Sequence, residues 1–317
     1  MSSTSSNPSS AAGGGALKRR FQLWQDEVDS AHIWVEQGGR TPAKARYASA
    51  MVLLRDSSRG PETFLTYRRN YSPLGTVTFP GGSLEENDDA EVDWVGPSPA
   101  QWAKALGLED DVLARRHVVA AIRETFEETG VLLAGSNANT VIDVTPSAEW
   151  TRKRQMMAEQ ELAMPELLAK RGLALRTDLL KPLLYWISPD FAHRRFKTRY
   201  FAAPVPSNQT ATPLDRVDGQ HRWADWVCPS RLVAERDTTA LGDAVGAGNT
   251  VGRTLGELVS SGCDLILNKI ASSSGCIAYL NHKRPLLAYQ PHLVVDGDEY
   301  WLEVDATNAS DASCRER

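Results

Sequence analysis

Glu124, Glu127 and Glu128 stand at i, i+3 and i+4 within Arg123-Glu124-Thr125-Phe126-Glu127-Glu128-Thr129-Gly130-Val131. At about 100° per residue, that spacing gathers three carboxylates into roughly 100° of one helix face. Like charges at helical spacing repel and cost stability, so something must neutralise them. A hard divalent cation with oxygen ligands is the obvious candidate. A Glu-rich face can also be plain solvated surface, but the neighbours argue against that here. Arg123 precedes the first carboxylate, Gly130 sits where a helix C-cap glycine belongs, and apolar Val131-Leu132-Leu133 follows. Upstream, Phe79-Pro80-Gly81-Gly82 would bring flexible backbone close to a ligand.

The element carrying these side chains must be a helix that begins at Asp110 or Asp111, with Val112, Val119, Ile122 and Phe126 as its buried stripe. Acidic residues suit its first turn, but Glu124, Glu127 and Glu128 lie near the other end, where the helix dipole opposes negative charge. That placement is unfavourable without a cation. Two strands, over 48–55 and 63–68, are expected about a turn at Ser57-Ser58-Arg59-Gly60-Pro61, and a third over 75–79 delivers the Gly-Gly turn. Between the glycines and the glutamates lie Trp94, Trp102 and a helix-like 100–106, with Gly96, Pro97 and Pro99 as breakers. So aromatic a segment should be packed, either as a wall of a substrate cleft or as a cover over the sheet.

Residues 1–16, almost without large apolar side chains, are expected to be disordered, and 17–37 to form a short helix leading into the domain. Residues 147–172 read as one or two helices, with Ser147 as N-cap, Pro165 at a start and Gly172 at an end. Strands follow over 195–202 and 223–227, then helices from Pro229 to about Glu235 and over 250–261. A terminal hairpin over 291–304 turns at Asp296-Gly297-Asp298. Strands alternating with helices indicate an α/β architecture.

The 317 residues can bury a substantial core, and 42% hydrophobic with 24% charged residues is ordinary for a globular chain. A net charge of −5 excludes a general attraction to nucleic acid or acidic membranes. Cys228, Cys263, Cys276 and Cys314 form no Cys-x-x-Cys pair, which favours isolated thiols over a zinc site or disulfide frame. There is no run of 18 or more apolar residues, no secretory signal pattern at the start and no peroxisomal address at the end, so the cytoplasm is the expected location.

The motif resembles the Nudix hydrolases, whose signature is Gly, five residues, Glu, seven residues, then Arg-Glu-(apolar)-x-Glu-Glu-x-Gly-(apolar). The second half stands at 123–131, with Thr125 where an apolar residue is usual. The first half begins at Gly82, but Arg123 then follows roughly 27 residues too late for the pattern. Counting forward from Gly82 places Asp88 at the glutamate position. The box therefore looks split by an insertion at about 89–115. Such a split is similar to one branch in particular, the peroxisomal-type coenzyme A and acyl-coenzyme A diphosphatases and their bacterial relatives. Leu65-Thr66-Tyr67-Arg68-Arg69, Gly75 to Gly82, Tyr185-Trp186-Ile187-Ser188-Pro189 and the stretch from Arg194 to Phe201 also resemble that branch.

The resemblance, spanning about 45–310, implies a Nudix-type α/β/α sandwich with a mixed sheet within a domain of 17–310, an insertion in the box, extra helices and a 311–317 tail. It also implies metal-dependent hydrolysis of a nucleoside diphosphate conjugate with Mg²⁺ or Mn²⁺, and a possible homodimer. Carried over by position, the Gly82 carbonyl, Glu127 and Glu128 would be metal ligands. Glu124 would be a ligand or would accept the proton of the attacking water, and Arg123 would hold the carboxylates by charge-assisted bonds. For the further ligand that relatives draw from outside the box, the resemblance offers Asp218, Asp225 or His221. Substrate phosphates would need cations: Arg68 and Arg69 beside the glycine turn, and Arg195, Lys197 and Arg199, which alternate along a strand and share one face. The coenzyme A reading stands beside two others, hydrolysis of another conjugate such as ADP-ribose, a dinucleotide or a nucleotide sugar, and a binding protein with weakened catalysis.

Overall fold

The computed structural model describes residues 19–38, 41–69, 75–214 and 223–308, with side chains 25, 26 and 305–308 left aside. The expected tails at 1–16 and 311–317, together with Asp218 and His221, lie outside the described residues. The first elements are β1 (Arg19–Gln22), α1 (Gln25–Glu36), β2 (Arg46–Ser57), β3 (Gly60–Tyr67), β4 (Val77–Thr78) and β5 (Gly81–Ser83). A 3-10 turn (Glu86–Asp89) precedes the insertion, which contributes β6 (Trp94–Val95) and α2 (Pro99–Leu106), and α3 (Asp111–Thr129) follows. Next come β7 (Ala134–Gly135), α4 (Ala148–Ala158), α5 (Met164–Ala169), β8 (Ala174–Arg176), β9 (Lys181–Ile187), β10 (Phe196–Pro204) and β11 (Ala224–Val227). The remainder is α6 (Pro229–Ala234), α7 (Ala240–Val245), α8 (Leu255–Leu258), α9 (Ser261–Ala271), α10 (Cys276–Asn281) and the hairpin β12 (Leu287–Asp296) and β13 (Glu299–Asn308).

The main sheet runs β1-β13-β12-β9-β10-β2-β3-β11, with β4 added to β3 and β5 to β2. It is mixed: β10 is parallel to β2 and β12 to β9, while the other pairs are antiparallel. Alternation along β2 shows why it lies at the centre, since successive side chains of a strand face opposite sides. Met51 and Leu53 enter a core with Ile122 and Phe126 of α3, whereas Val52 and Leu54 enter a second core with Ile266 and Ile270 of α9. Helices thus cover both faces, the expected α/β/α sandwich.

Helix α3 begins and ends as its sequence requires. The Asp110 side chain accepts from the Val112 and Leu113 amides, and Gly130 closes the helix at φ 76°, a left-handed conformation suited to glycine. One residue of the expected stripe is wrong. Val112 lies in the first turn and is exposed, and burial begins with Ala114 and continues through Val118, Val119, Ile122 and Phe126.

Other boundaries moved for local reasons. The segment expected to be a single helix over 17–37 starts with strand β1, whose register partner is β13. The third strand is only Val77–Thr78, since Gly75 instead bridges to Val259. The helix expected over 250–261 is the single turn α8. The longer α9 starts after it, where the Ser260 hydroxyl accepts from the Cys263 amide as an N-cap. The terminal hairpin begins at Leu287, extended upstream by parallel pairing with β9.

The insertion is integrated into the fold. Ser98 caps α2 through a capping box with Gln101, and β6 joins β8 and β7 in a small second sheet. Trp102 is buried, edge-on to Phe201 with ring centroids 5.9 Å apart. Trp102 packs as a cover over the sheet, while Glu91, Trp94, Pro99 and Arg115 of the same segment line a cavity. Among the described residues, no helix is long and apolar enough to cross a membrane.

Candidate active site

Strand β5 lies antiparallel to β2, with Gly82 opposite Ser49, and α3 packs directly over this pair. The approach is too close for any side chain on the turn. A Cβ at Gly81 would meet the Ser49 carbonyl at 2.5 Å, and one at Gly82 would collide with the Glu124 carboxylate. At Gly81 the obstacle is backbone, so proximity demands glycine there, whereas at Gly82 a side chain would have to displace the Glu124 carboxylate. The two halves of the interrupted motif meet in space although an entire subdomain separates them in sequence.

Arg123 organises the carboxylates. Its Nε and Nη2 donate to the two oxygens of Asp88 at 2.8 and 3.0 Å, a bidentate pair. Its Nη1 donates to Glu124 at 2.9 Å and to Glu127 at 3.2 Å, and Nη2 also reaches the Ser83 carbonyl at 3.0 Å. Asp88 is thus long enough for its position, because the 3-10 turn brings its backbone up to the helix and the Glu85 amide anchors one oxygen at 2.8 Å. Burial works against the Arg123 charge, but the bond from Asp88 and the surrounding carboxylates more than offset it and raise its pKa. Thr125, the other departure from the pattern, is buried with its hydroxyl donating to the Ala121 carbonyl at 2.6 Å, so it replaces an apolar side chain without an orphaned polar atom.

Glu128 is held from outside α3. Arg68 Nη2 lies 2.6 Å from its Oε1 and also bonds the Gly81 carbonyl, while the Thr66 hydroxyl donates to Oε2 at 3.1 Å. Glu124, Glu127 and Glu128, with Thr66 and Arg68, line a cleft of 170 Å³ whose far side includes Pro213 and Trp223. Burial, reinforced by the neighbouring glutamates and opposed by Arg123, pushes the Glu124 carboxyl up to about 8 and that of Glu127 up to about 7.

The donor set suits a divalent cation. Arg123 alone serves Asp88, Glu124 and Glu127, and Arg68 serves Glu128, so negative charge outweighs positive in a poorly solvated place. Burial first, and the neighbouring glutamates second, disfavour charge on the two carboxyls, and a cation would relieve both. Among the described residues no three acidic, His or Cys side chains form a ready-made cation cluster. The carboxylates are turned onto arginines instead.

The expected phosphate contacts divide. Arg68 stands in the cleft and Arg69 is exposed beside it in sequence. Arg199 corrects the idea of a common cationic face. It is only 2% exposed, donates to the Leu106 carbonyl and stacks 4.1 Å from the Tyr185 ring centroid, so it has no surface to offer a ligand. Arg195 is likewise committed, to Asp190 and to the carbonyls of Pro189, Ala43 and Ser188. Lys197 lies over Tyr47. The alternation is real, but α2 covers part of that face. Asp225 is exposed on the edge strand β11, accepting from the Trp226 amide.

Two contributors escaped the sequence reading. Thr66 shares a strand face with Arg68, which period-2 alternation could have revealed. Arg154 of α4 is buried and donates to the carbonyls of Phe126, Glu127 and Thr212, capping the end of α3. No local pattern in the sequence marks it.

No family model matches the sequence, and no curated protein matches it either. Among solved structures, a NUDIX hydrolase from Alicyclobacillus acidocaldarius is 22% identical with a TM-score of 0.54, covering 76% of this chain and 97% of that one. A mutator MutT protein from Bacillus halodurans is 10% identical with a TM-score of 0.33, covering 81% of this chain and 97% of that one. At that score the second likeness carries no structural argument. The first shows the fold: this chain has the Nudix architecture.

Proposed function

We propose that this chain is a metal-dependent Nudix diphosphatase that cleaves coenzyme A or acyl-coenzyme A to 3′,5′-ADP and (acyl-)4′-phosphopantetheine. One observation carries the hydrolase reading. Glu124, Glu127 and Glu128 project from the end of α3 into a cleft beside the Gly81-Gly82 backbone, with Arg123 bridging Glu124 and Glu127 to Asp88 and Arg68 holding Glu128. Mg²⁺ or Mn²⁺ held by Glu127, Glu128, the Gly82 carbonyl and Glu124 would polarise phosphoryl oxygens and activate water. Arg123 keeps the carboxylates aligned through its bonds to Asp88, Glu124 and Glu127. Glu124, whose carboxylate lies against the Gly82 backbone, would serve as a further ligand or accept the proton of the attacking water. Arg68 places a guanidinium on the cleft wall where substrate phosphates would need positive charge.

The coenzyme A assignment rests on the segments 65–82 and 185–201 that resemble that branch. The intact Arg123–Asp88 pairing and the satisfied Thr125 hydroxyl support a working site over a binding protein with a decayed one. The test is a substrate panel with Mg²⁺ or Mn²⁺: coenzyme A, acetyl-coenzyme A, ADP-ribose, NADH and a nucleotide sugar. Coenzyme A or its acetyl ester should be turned over best, with 3′,5′-ADP released. Preference for ADP-ribose would overturn the substrate assignment. Tight binding without turnover of any compound would overturn the enzyme.

A further inference from the structure

Glu128 differs from its two neighbours in what neutralises it. Glu124 and Glu127 share Arg123 of their own helix, whereas Glu128 Oε1 is paired with Arg68 of the adjoining strand end. That guanidinium is bound on one side only. Its Nη2 serves Glu128 and the Gly81 carbonyl, while its Nε is buried with no hydrogen-bond partner. Glu128 Oε2 is separately oriented by the Thr66 hydroxyl. One carboxylate oxygen therefore has a fixed structural partner and the other has a cation.

We propose that Arg68 is the resident counter-cation of Glu128, and that a divalent cation must displace it from Oε1 to be held there. Binding of the ion and release of the guanidinium are a single exchange, with the Thr66 bond to Oε2 preserved throughout. This accounts for Glu128 being turned onto a guanidinium while it lines the same cleft as Glu124 and Glu127. The inference rests on the metal-dependent reading above.

The exchange predicts a gain on removing a residue. Mn²⁺ binding to the full-length, metal-stripped protein without substrate, measured calorimetrically, should be tighter in Arg68→Gln than in wild type. The expected factor is on the order of tenfold, the scale of one partly buried charge pair. The same substitution in a Glu128→Gln background should change affinity little, since the oxygen in competition has gone. Unchanged or weaker binding by folded Arg68→Gln would overturn the exchange, as would equal tightening in both backgrounds. Should Arg68→Gln fail to fold, the wild-type Arg68 Nε–H resonance provides a second readout. It should shift on adding Mg²⁺ with the midpoint of binding, and a resonance indifferent to saturating Mg²⁺ would overturn the idea. Wild-type protein that binds no Mn²⁺ would defeat the metal reading and this inference together. Wild-type binding with an unmoved Arg68→Gln would defeat the exchange alone.

Discussion

Glu127→Gln or Glu128→Gln removes one charged oxygen donor from the cleft while nearly preserving side-chain volume. Turnover should fall by on the order of 10²-fold or more, with the circular dichroism spectrum unchanged. Full activity in both variants would defeat the site assignment. Gly82→Ala is a steric counterpart, because its methyl would press on the Glu124 carboxylate. It should reduce turnover without requiring any change of charge, measured at saturating Mn²⁺. The glutamates also set a pH dependence. Burial first, and like charge second, raise the Glu124 and Glu127 carboxyls above the ordinary 4.5, so the folded chain binds protons more tightly than the unfolded one. Their contribution to stability must then decline as pH rises from about 4.5 to about 8. Compared with Glu124→Gln, in which the Glu124 share of that titration is gone, the metal-stripped wild type should lose thermal stability progressively between pH 5 and pH 8. Mn²⁺ should restore most at the upper end. A constant difference between the two proteins across that range would refute the assignment.

At the scale of an element, α3 ends with three carboxylates where its own dipole is negative, so something must hold its last turn. Arg154 does so from α4, with its guanidinium on the Phe126 and Glu127 carbonyls and, through Thr212, on the loop that continues into the cleft wall. Arg154→Met should cost about 2–4 kcal/mol, since several charge-assisted bonds are lost and buried carbonyls are left without donors. Urea unfolding would check the value, and a loss below about 0.5 kcal/mol would show that the cap is dispensable.

For the whole molecule, the insertion within the motif packs as part of the core. Trp102 of α2 fills space against Phe201 and joins the cluster that includes Val118, Ile122 and Phe126 of α3. Trp102→Ala should cost about 3–5 kcal/mol, the range for emptying a buried aromatic site, read from the shift in urea midpoint at constant slope. A small loss would mean that the insertion is a detachable decoration.

Several features of this protein were readable from residue types alone. Periodicity and caps located α3 between Asp110 and Gly130, the β2–β3 hairpin about Ser58-Arg59, and the glutamate triad on one face, because each depends on residues within a few positions of one another. Asp88 emerged from counting along the motif, but its pairing with Arg123 depended on a turn whose placement over α3 is tertiary. Arg195 and Arg199 show the reverse limit. Strand alternation correctly placed them on one side, yet only the packing of α2 and the neighbouring loops decided that those charges face protein. Arg154 left no local mark, since its partners are main-chain carbonyls distant in sequence. Local spacing specifies which way a side chain points from its own element, whereas burial, charge partners and cleft access belong to whatever other element arrives there.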